Sequence, residues 1–459
     1  MKKYYLLGEK LSHSYSAVIH SFFGLDYSLR ELPPEKLSEF VKSRKFDGLN
    51  VTIPYKKSIV PLLDEVDGIA EKTGAVNTVL NKNGKLIGYN TDYYGMKYAL
   101  EAAKITLKGK DVLILGSGGA GIVAEKLAID EGAASVEIVS RNGKLNYENI
   151  YDREKTQVII NATPVGTFPF ADGAACDVSR FKNLEGAFDC VYNPFRSKFV
   201  LDAEKIGARA CGGLTMLVAQ AVYSEKIWGE TTGGIADKTT EKTVDGTFET
   251  ANGTAEKTVD GTFETANGTA EKTADITAGG SAETADCENK IRAVLGEVLK
   301  RETNISLVGM PGAGKTTVGR ILAEKLGMGF CDTDEEIEKI AGESPEKIIE
   351  KYGEERFREI ETEVAESVSS LRGVVIATGG GTILREKNVE KLRSCGVVIW
   401  LGRDLNLLAQ NNRPLSKSMS ISRLFKQREG YYVAASDKKI ENDKAAEKTA
   451  EKIITEIFG

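Results

Sequence analysis

Short continuous apolar runs of strand length recur along the chain, at Tyr4–Gly8, Asp111–Leu115, Ser135–Ser140 and Thr303–Val308. A further strand, from Phe46, is ended by Pro54. Segments with helical spacing follow them, such as the one carrying Ile122, Val123 and Leu127. This alternation predicts an α/β protein whose sites lie in loops at strand ends. The pattern breaks once. Residues Glu241–Ala255 read EKTVDGTFETANGTA, Glu256–Ala270 repeat them letter for letter, and Glu271–Ala285 are a decayed third copy. Each perfect copy has one Val and one Phe as its large apolar residues, too little to offset the entropy of ordering the backbone. A solenoid would need longer units with a periodic apolar face. Residues 230–285 are therefore expected to be a disordered low-complexity linker.

Beyond the repeats, Ile291, Val294, Leu295, Val298 and Leu299 form one apolar stripe of an amphipathic helix over 286–301. At 459 residues the chain divides into about three domains. The expected boundaries are 1–100, with 213–229 and 286–301 returning to it, then 101–212, and 302–459 beyond the linker. A net charge of −6 without a Lys/Arg block argues against nucleic acid. No apolar run reaches the length of a membrane span, and the opening MKKYYLLGEK is too short for a signal segment. Six scattered cysteines without a C-x-x-C pair, and two histidines, point to reduced thiols in a cytoplasmic protein and away from a zinc site.

Two glycine loops carry the candidate chemistry. Gly116-Ser-Gly-Gly-Ala-Gly121 stands between a strand and a helix, the context in which G-x-G-x-x-G lets backbone approach a pyrophosphate at a helix N-terminus. Gly116, Gly118, Gly119, Ala120 and Gly121 are its cofactor-binding residues. The next strand ends in Arg141, which pairs with a 2′-phosphate and cannot accept from a ribose hydroxyl, so NADP is favoured over NAD. Gly309-Met-Pro-Gly-Ala-Gly-Lys-Thr-Thr317 is a P-loop. Its amides at Gly312, Ala313, Gly314 and Thr317 cradle phosphates, Lys315 reaches the β/γ-phosphates of ATP, and Thr316 serves Mg²⁺. The hydroxyls of Ser12, Ser14 and Ser16 precede a helix. They read either as caps or as neutral donors to an anionic oxygen.

Further motifs turn these readings into two resemblances. Ser12-His-Ser-Tyr-Ser16, Asn50-Val-Thr-Ile-Pro-Tyr-Lys56, Gly74-Ala-Val-Asn-Thr78, Asn90-Thr-Asp92, Val191-Tyr-Asn-Pro194 and Gly213-Leu-Thr-Met-Leu-Val-Ala-Gln220 resemble shikimate dehydrogenases over about residues 1–228. The resemblance implies that Ser14, Ser16, Thr52, Asn77, Asp92, Tyr192 and Gln220 hold the substrate's carboxylate and ring hydroxyls. It makes Lys56 and Asp92 the catalytic pair, and places Asn161, Thr163 and Met216 beside NADP(H). Ala17 stands where that family usually has Pro, and Lys144 follows Arg141 near a second basic position. Such dehydrogenases close with a helix after the Met-Leu-Val-Ala-Gln segment, and 286–301 is read as that helix, displaced by the expanded repeats.

Cys331-Asp-Thr-Asp334, Gly353-Glu-Glu-Arg-Phe-Arg-Glu-Ile-Glu361, Thr378-Gly-Gly-Gly381 and Arg413-Pro-Leu415 resemble shikimate kinases over about 303–459. That resemblance puts Asp332 on Mg²⁺, makes Asp334 and Lys315 catalytic, and gives shikimate to Asp334, Arg358, Gly380, Gly381 and Arg428. Arg413 becomes the lid arginine over ATP. Gly430, Ala434, Ser436 and Asn406 depart from the family pattern. The expected function is reduction of 3-dehydroshikimate followed by phosphorylation of shikimate. The alternatives are a quinate/shikimate dehydrogenase joined to a kinase of another hydroxy acid, or to an inactive kinase-like module. The oligomeric state stays open, with a monomer compatible.

Overall fold

A computed structural model describes residues 2–11, 14–229, 281–408 and 421–458. Residues 230–280, which include both perfect repeats, and Arg413 lie outside the described residues. Three sheets organise the rest.

The first is mixed, in the order β2-β1-β3-β5-β6-β4. It comprises β1 (Tyr4–Gly8), β2 (Tyr27–Glu31), β3 (Gly48–Val51), β4 (Glu65–Val66), β5 (Thr78–Lys82) and β6 (Lys85–Tyr89). β5 and β6 form a hairpin turned by Asn83 and Gly84, both at positive φ, the conformation an Asn-Gly pair accepts in a two-residue turn. Helix α1 (Ser16–Ser21) follows the serine segment, and α2 (Asp92–Ala102) follows β6.

The second sheet is parallel, in the order β11-β10-β9-β7-β8. Its strands are β7 (Asp111–Leu115), β8 (Ser135–Val139), β9 (Val158–Asn161), β10 (Gly186–Asp189) and β11 (Arg209–Cys211). β7, β9 and β10 are nearly all buried apolar residues, as a sheet covered on both faces requires. Helix α3 (Gly119–Asp130) starts in the glycine loop, and α4 (Lys198–Lys205) precedes β11.

Helix α5 (Leu214–Gly229) leaves the second sheet and returns to the first. Its Trp228 is 1% exposed, donates Nε1–H to the Val79 carbonyl at 3.0 Å and packs on Tyr4 with ring centroids 4.8 Å apart. A Cβ on Gly48 would lie 2.5 Å from that indole, so the strand approaches the ring only because Gly48 has no side chain.

Helix α6 (Ser281–Glu302) begins five residues before the predicted start at 286, so Ser281–Ala285, read as linker, are helical. Its Ile291, Val294 and Val298 are buried with Ile19 of α1 and Leu214, Val218 and Val222 of α5. Lys290 pairs with Glu225 at 2.5 Å. The apolar stripe thus faces the first sheet's helices, and only Thr303 separates α6 from the third sheet. Ile291→Ala is expected to destabilise the half built on the first two sheets by roughly 2–5 kcal/mol, the range for truncating a fully buried isoleucine. Urea midpoints followed by the fluorescence of Trp228, with Trp400 replaced by Phe in both proteins, would check this, and an unchanged midpoint would refute it.

The third sheet is parallel, in the order β13-β14-β12-β15-β16. Its strands are β12 (Asn304–Val308), β13 (Gly329–Asp332), β14 (Val374–Ala377), β15 (Gly396–Gly402) and β16 (Lys438–Glu441). Helices α7 (Lys315–Leu326), α8 (Glu354–Ser369), α9 (Glu386–Cys395) and α10 (Ile421–Ala435) accompany it. No described helix is long and apolar enough to cross a membrane.

Candidate active sites

The first site is created by strand direction. β3 runs parallel to β1 but antiparallel to β5, so the end of β3, the start of β5 and the end of β6 meet at one edge. Thr52 and Lys56 follow β3, Asn77 precedes β5, and Asp92 opens α2. Lys56 Nζ lies 2.5 Å from Asp92 Oδ2, while Asn77 Nδ2 donates to Asp92 Oδ1 at 2.8 Å. Asn77 is held in turn, its Oδ1 accepting from the Thr91 backbone N–H at 2.7 Å and its amide reaching Gln220 Oε1 at 3.4 Å. One carboxylate oxygen is thus committed to the ammonium and the other to the amide. Asp92 is 6% exposed, and the Lys56 side chain remains 20% exposed.

A cavity of about 400 Å³ brings Ser14, Ser16, Thr52, Asn77, Tyr192 and Gln220 around that pair. Burial holds the Tyr192 phenol above its usual range, so it faces the cavity as a neutral hydroxyl. Lys10 and Asn50, which the sequence reading did not single out, also line the cavity. Asn50 stands two residues before Thr52, and that period-two spacing on a strand was an available signal. Nothing in the sequence marks Lys10.

The glycine loop adjoins this cavity at the ends of β7 and β9, where the strand order changes direction. A Cβ on Gly121 would fall 2.0 Å from the Gly116 carbonyl oxygen, so the loop closes only with glycine there. A Cβ on Gly119 would meet Lys56 Cδ at 3.5 Å, which places the start of α3 against the lysine. A Cβ on Gly116, at φ +104, would meet Thr163 Cγ2 at 2.9 Å. Ala120 continues the first turn of α3, and Arg141 is exposed just past β8.

Asn161 ends β9 opposite Leu115, so its segment runs beside the glycine loop. It is 0% exposed, donates to Asp189 Oδ1 at 2.9 Å and accepts from Thr163 Oγ1 at 2.6 Å. Its side chain is spent inside the fold and sets Thr163, the residue that meets Gly116. Met216 is also mostly buried, packed with Ile114, Val123 and Phe188.

The second site lies on the third sheet. Gly312 and Gly314 adopt positive φ, and α7 starts at Lys315. Lys315 Nζ donates to the carbonyls of Gly309 and Met310 at 2.9 and 3.1 Å. Ala313 is buried, while Thr317 is exposed on α7. Thr316 Oγ1 donates to Asp332 Oδ2 at 2.7 Å, and Asp332 Oδ1 accepts from the Asp334 backbone N–H at 3.0 Å. A hydroxyl and a carboxylate converging beside a phosphate loop are the hard oxygen donors that Mg²⁺ prefers.

A cavity of about 490 Å³ gathers Asp334, Arg358, Gly380, Gly381 and Arg428. Burial pulls the Arg358 guanidinium down, but Glu361 at 2.7 Å and Glu354 at 3.1 Å outweigh it and raise it above its usual value. Arg428 donates to the Gly380 carbonyl at 3.0 Å, and the Tyr432 hydroxyl donates to the same oxygen at 2.7 Å. A Cβ on Gly381 would lie 2.4 Å from Arg358 Nη1. Glu361 and Tyr432 were not singled out in the sequence. Glu361 follows Arg358 by three helical positions, a spacing that pairs charges. Gly430, Ala434 and Ser436 lie on α10 or just past it, and Asn406 lies past β15.

A glycine-loop cleft against a lysine–carboxylate cavity, joined to a P-loop sheet with a polar cavity, defines a two-site nucleotide-dependent enzyme, an oxidoreductase linked to a kinase. Residues 6–79 match the shikimate dehydrogenase substrate binding domain, and residues 311–458 match shikimate kinase. The chain is 37% identical over 251 residues to the shikimate dehydrogenase (NADP(+)) of Clostridium beijerinckii, covering 50% of this chain and 93% of that one. It is 39% identical over 265 residues to the corresponding protein of Caldicellulosiruptor saccharolyticus, covering 50% and 92%. A solved shikimate dehydrogenase 1 from Peptoclostridium difficile is similar at 35% identity, over 52% of this chain and 94% of that chain, with a TM-score of 0.47. The chain belongs to the shikimate dehydrogenase family and carries a shikimate kinase domain, a bifunctional enzyme of the shikimate pathway.

Proposed function

We propose that the chain reduces 3-dehydroshikimate to shikimate with NADPH and then phosphorylates shikimate to shikimate 3-phosphate with ATP. The observation that carries this reading is that both cavities suit one small hydroxylated acid. The first presents serine hydroxyls and neutral amides beside an ammonium, and the second presents two arginines and a carboxylate.

In the first cavity Ser14, Ser16 and Tyr192 bind the carboxylate end, while Thr52, Asn77, Asp92 and Gln220 orient the ring hydroxyls. NADPH, when bound along Gly116–Gly121 and Thr163, supplies the hydride. Lys56 donates a proton to the oxygen on which negative charge develops, and Asp92 holds the ammonium and the adjacent ring hydroxyl in line. In the reverse direction Lys56 accepts that proton.

In the second cavity Arg358 and Arg428 fork onto the carboxylate, and the backbone at Gly380 and Gly381 fits the ring closely. Asp334 accepts from the attacking hydroxyl, while Lys315 and the loop amides stabilise charge on the transferring group. Mg²⁺ on Thr316 and Asp332, when bound with ATP, supplies further charge neutralisation. One vessel with the full chain, 3-dehydroshikimate, NADPH and MgATP tests the reading. Shikimate 3-phosphate should form, and NADPH oxidation without a phosphorylated product would refute it.

Arg141 is assigned to the 2′-phosphate of NADPH. Arg141→Asp removes a charge-assisted contact worth about 1.5–3 kcal/mol and adds repulsion. The expected result is at least a roughly tenfold fall in kcat/KM for NADPH and a smaller change for NADH. Equal losses with both cofactors would overturn the assignment.

A further inference from the structure

Arg372 belongs to the kinase half, in the turn between α8 and β14, yet its polar contacts lie mainly on the other half. Its Nη1 donates to the Tyr15 hydroxyl and to Glu302 Oε2 at 3.3 Å, and its Nη2 donates to Asn193 Oδ1 at 3.2 Å. Its guanidinium carbon stands 5.2 Å from the centre of the Tyr15 ring.

Of these partners, Tyr15 and Asn193 adjoin walls of the dehydrogenase cavity. Tyr15 lies between Ser14 and Ser16, and Asn193 follows Tyr192. The Tyr15 and Tyr192 rings sit 5.1 Å apart. The serine segment belongs with the first sheet, whereas Tyr192-Asn193 follows β10 of the second. A single planar fork therefore ties together two segments that converge on one cavity from different sheets.

The kinase half is seated so that this fork is held in place. Arg196 pairs with Asp437 at 2.9 Å, and Arg393 pairs with Glu204 at 2.8 Å. The Arg196 backbone N–H also donates to the Ser394 carbonyl at 3.1 Å. Glu302 closes α6, the helix packed on α1 and α5. Arg372 precedes β14, whereas Gly379–Gly381 of the kinase cavity follow it, so the two lie at opposite ends of that strand.

We propose that Arg372 is a positioning residue of the dehydrogenase reaction, by which the kinase half sets the geometry of the other half's substrate cavity. Ser14 and Ser16 are useful only if their hydroxyls are fixed, because displacement by about an ångström degrades a positioned contact. Losing the fork removes the polar tie between the serine and Tyr192 segments and leaves the Tyr15–Tyr192 ring contact to hold them. The effect falls on substrate binding, since Lys56 is held by Asp92 and Asp92 by Asn77, not by Arg372.

The catalytic arm of the test rests on the function proposed above, and the exchange arm does not. In the full chain, Arg372→Ala should raise the shikimate KM of NADP-linked oxidation roughly tenfold, with kcat changed much less. The shikimate KM of the kinase reaction, measured on the same sample, should stay put. Arg372→Lys, which keeps the charge without the fork, should fall between. Tyr15→Phe should raise KM in part, and the double variant should show less than the product of the two effects. Amide hydrogen exchange should accelerate around residues 14–16 and 192–193 in Arg372→Ala, whatever the substrate. Unchanged exchange at both segments, or an unchanged dehydrogenase KM, would overturn the proposal. So would an equal KM rise in Arg393→Ala, which would show that docking in general matters and the fork does not. A wild-type chain inactive on shikimate, but with faster exchange in Arg372→Ala, would overturn the functional reading while leaving the clamp supported.

Discussion

Lys56→Ala is expected to abolish NADP-linked oxidation of shikimate, with kcat falling by about 10²–10⁴, while phosphorylation of added shikimate continues at the wild-type rate. The magnitude is that of losing a positioned general acid–base, and it follows from the commitments around the lysine. Asp92 holds the Lys56 ammonium at 2.5 Å and is itself held by Asn77 at 2.8 Å, so the proton carrier is fixed in place and alanine removes the group these contacts position. Lys56→Arg should fail to rescue, because a guanidinium retains its proton at any working pH. Asp92→Asn should also lose the reaction, since an amide cannot hold an ammonium by charge. Both rates would be measured on each variant, with a melting curve to confirm folding. A Lys56→Ala protein retaining rates within about fivefold of wild type would remove the lysine from its assigned role.

Much of both sites was legible because it depends on local backbone needs. A loop that must admit a phosphate needs glycine, and Gly116–Gly121 and Gly309–Gly314 announce that need in adjacent residues. The alternation of buried strands and helices likewise showed the α/β class. Less legible was everything set by strand direction and by contacts distant in sequence. Asn77 reads as one more polar residue in a glycine-bounded loop. It reaches Asp92 because the Asn83-Gly84 turn folds β5 back along β6. The side-chain direction of Asn161 was not legible for a related reason, since it bonds to Asp189, a buried carboxyl that burial raises to about 7. The apolar stripe after the repeats marked a helix, but Glu225, which pairs with its Lys290, lies 65 residues earlier. Arg372 carried no signal, because a lone arginine before a glycine resembles any solvated charge.

Lys315→Ala is expected to give the reverse phenotype, with phosphoryl transfer falling by about 10²–10³ and dehydrogenase activity unchanged. The Lys315 ammonium donates to the carbonyls of Gly309 and Met310, so the loop holds it at the phosphate position. Removing it takes away charge where negative charge must be stabilised, and alanine keeps the first turn of α7 helical. Supplied with 3-dehydroshikimate, NADPH and MgATP, the variant should consume NADPH at the wild-type rate and accumulate shikimate. Thr316→Ala should weaken the same step and shift its dependence on Mg²⁺ concentration, because it leaves Asp332 as the remaining donor of the pair. The variant also separates the two ways in which the halves meet. Lys315 follows β12 whereas Arg372 precedes the neighbouring parallel strand β14, so they stand at opposite ends of these strands. Loss of dehydrogenase activity in folded Lys315→Ala would mean that the halves are coupled through the phosphate loop. Phosphorylation retained within about fivefold would mean that the loop is not the phosphate site.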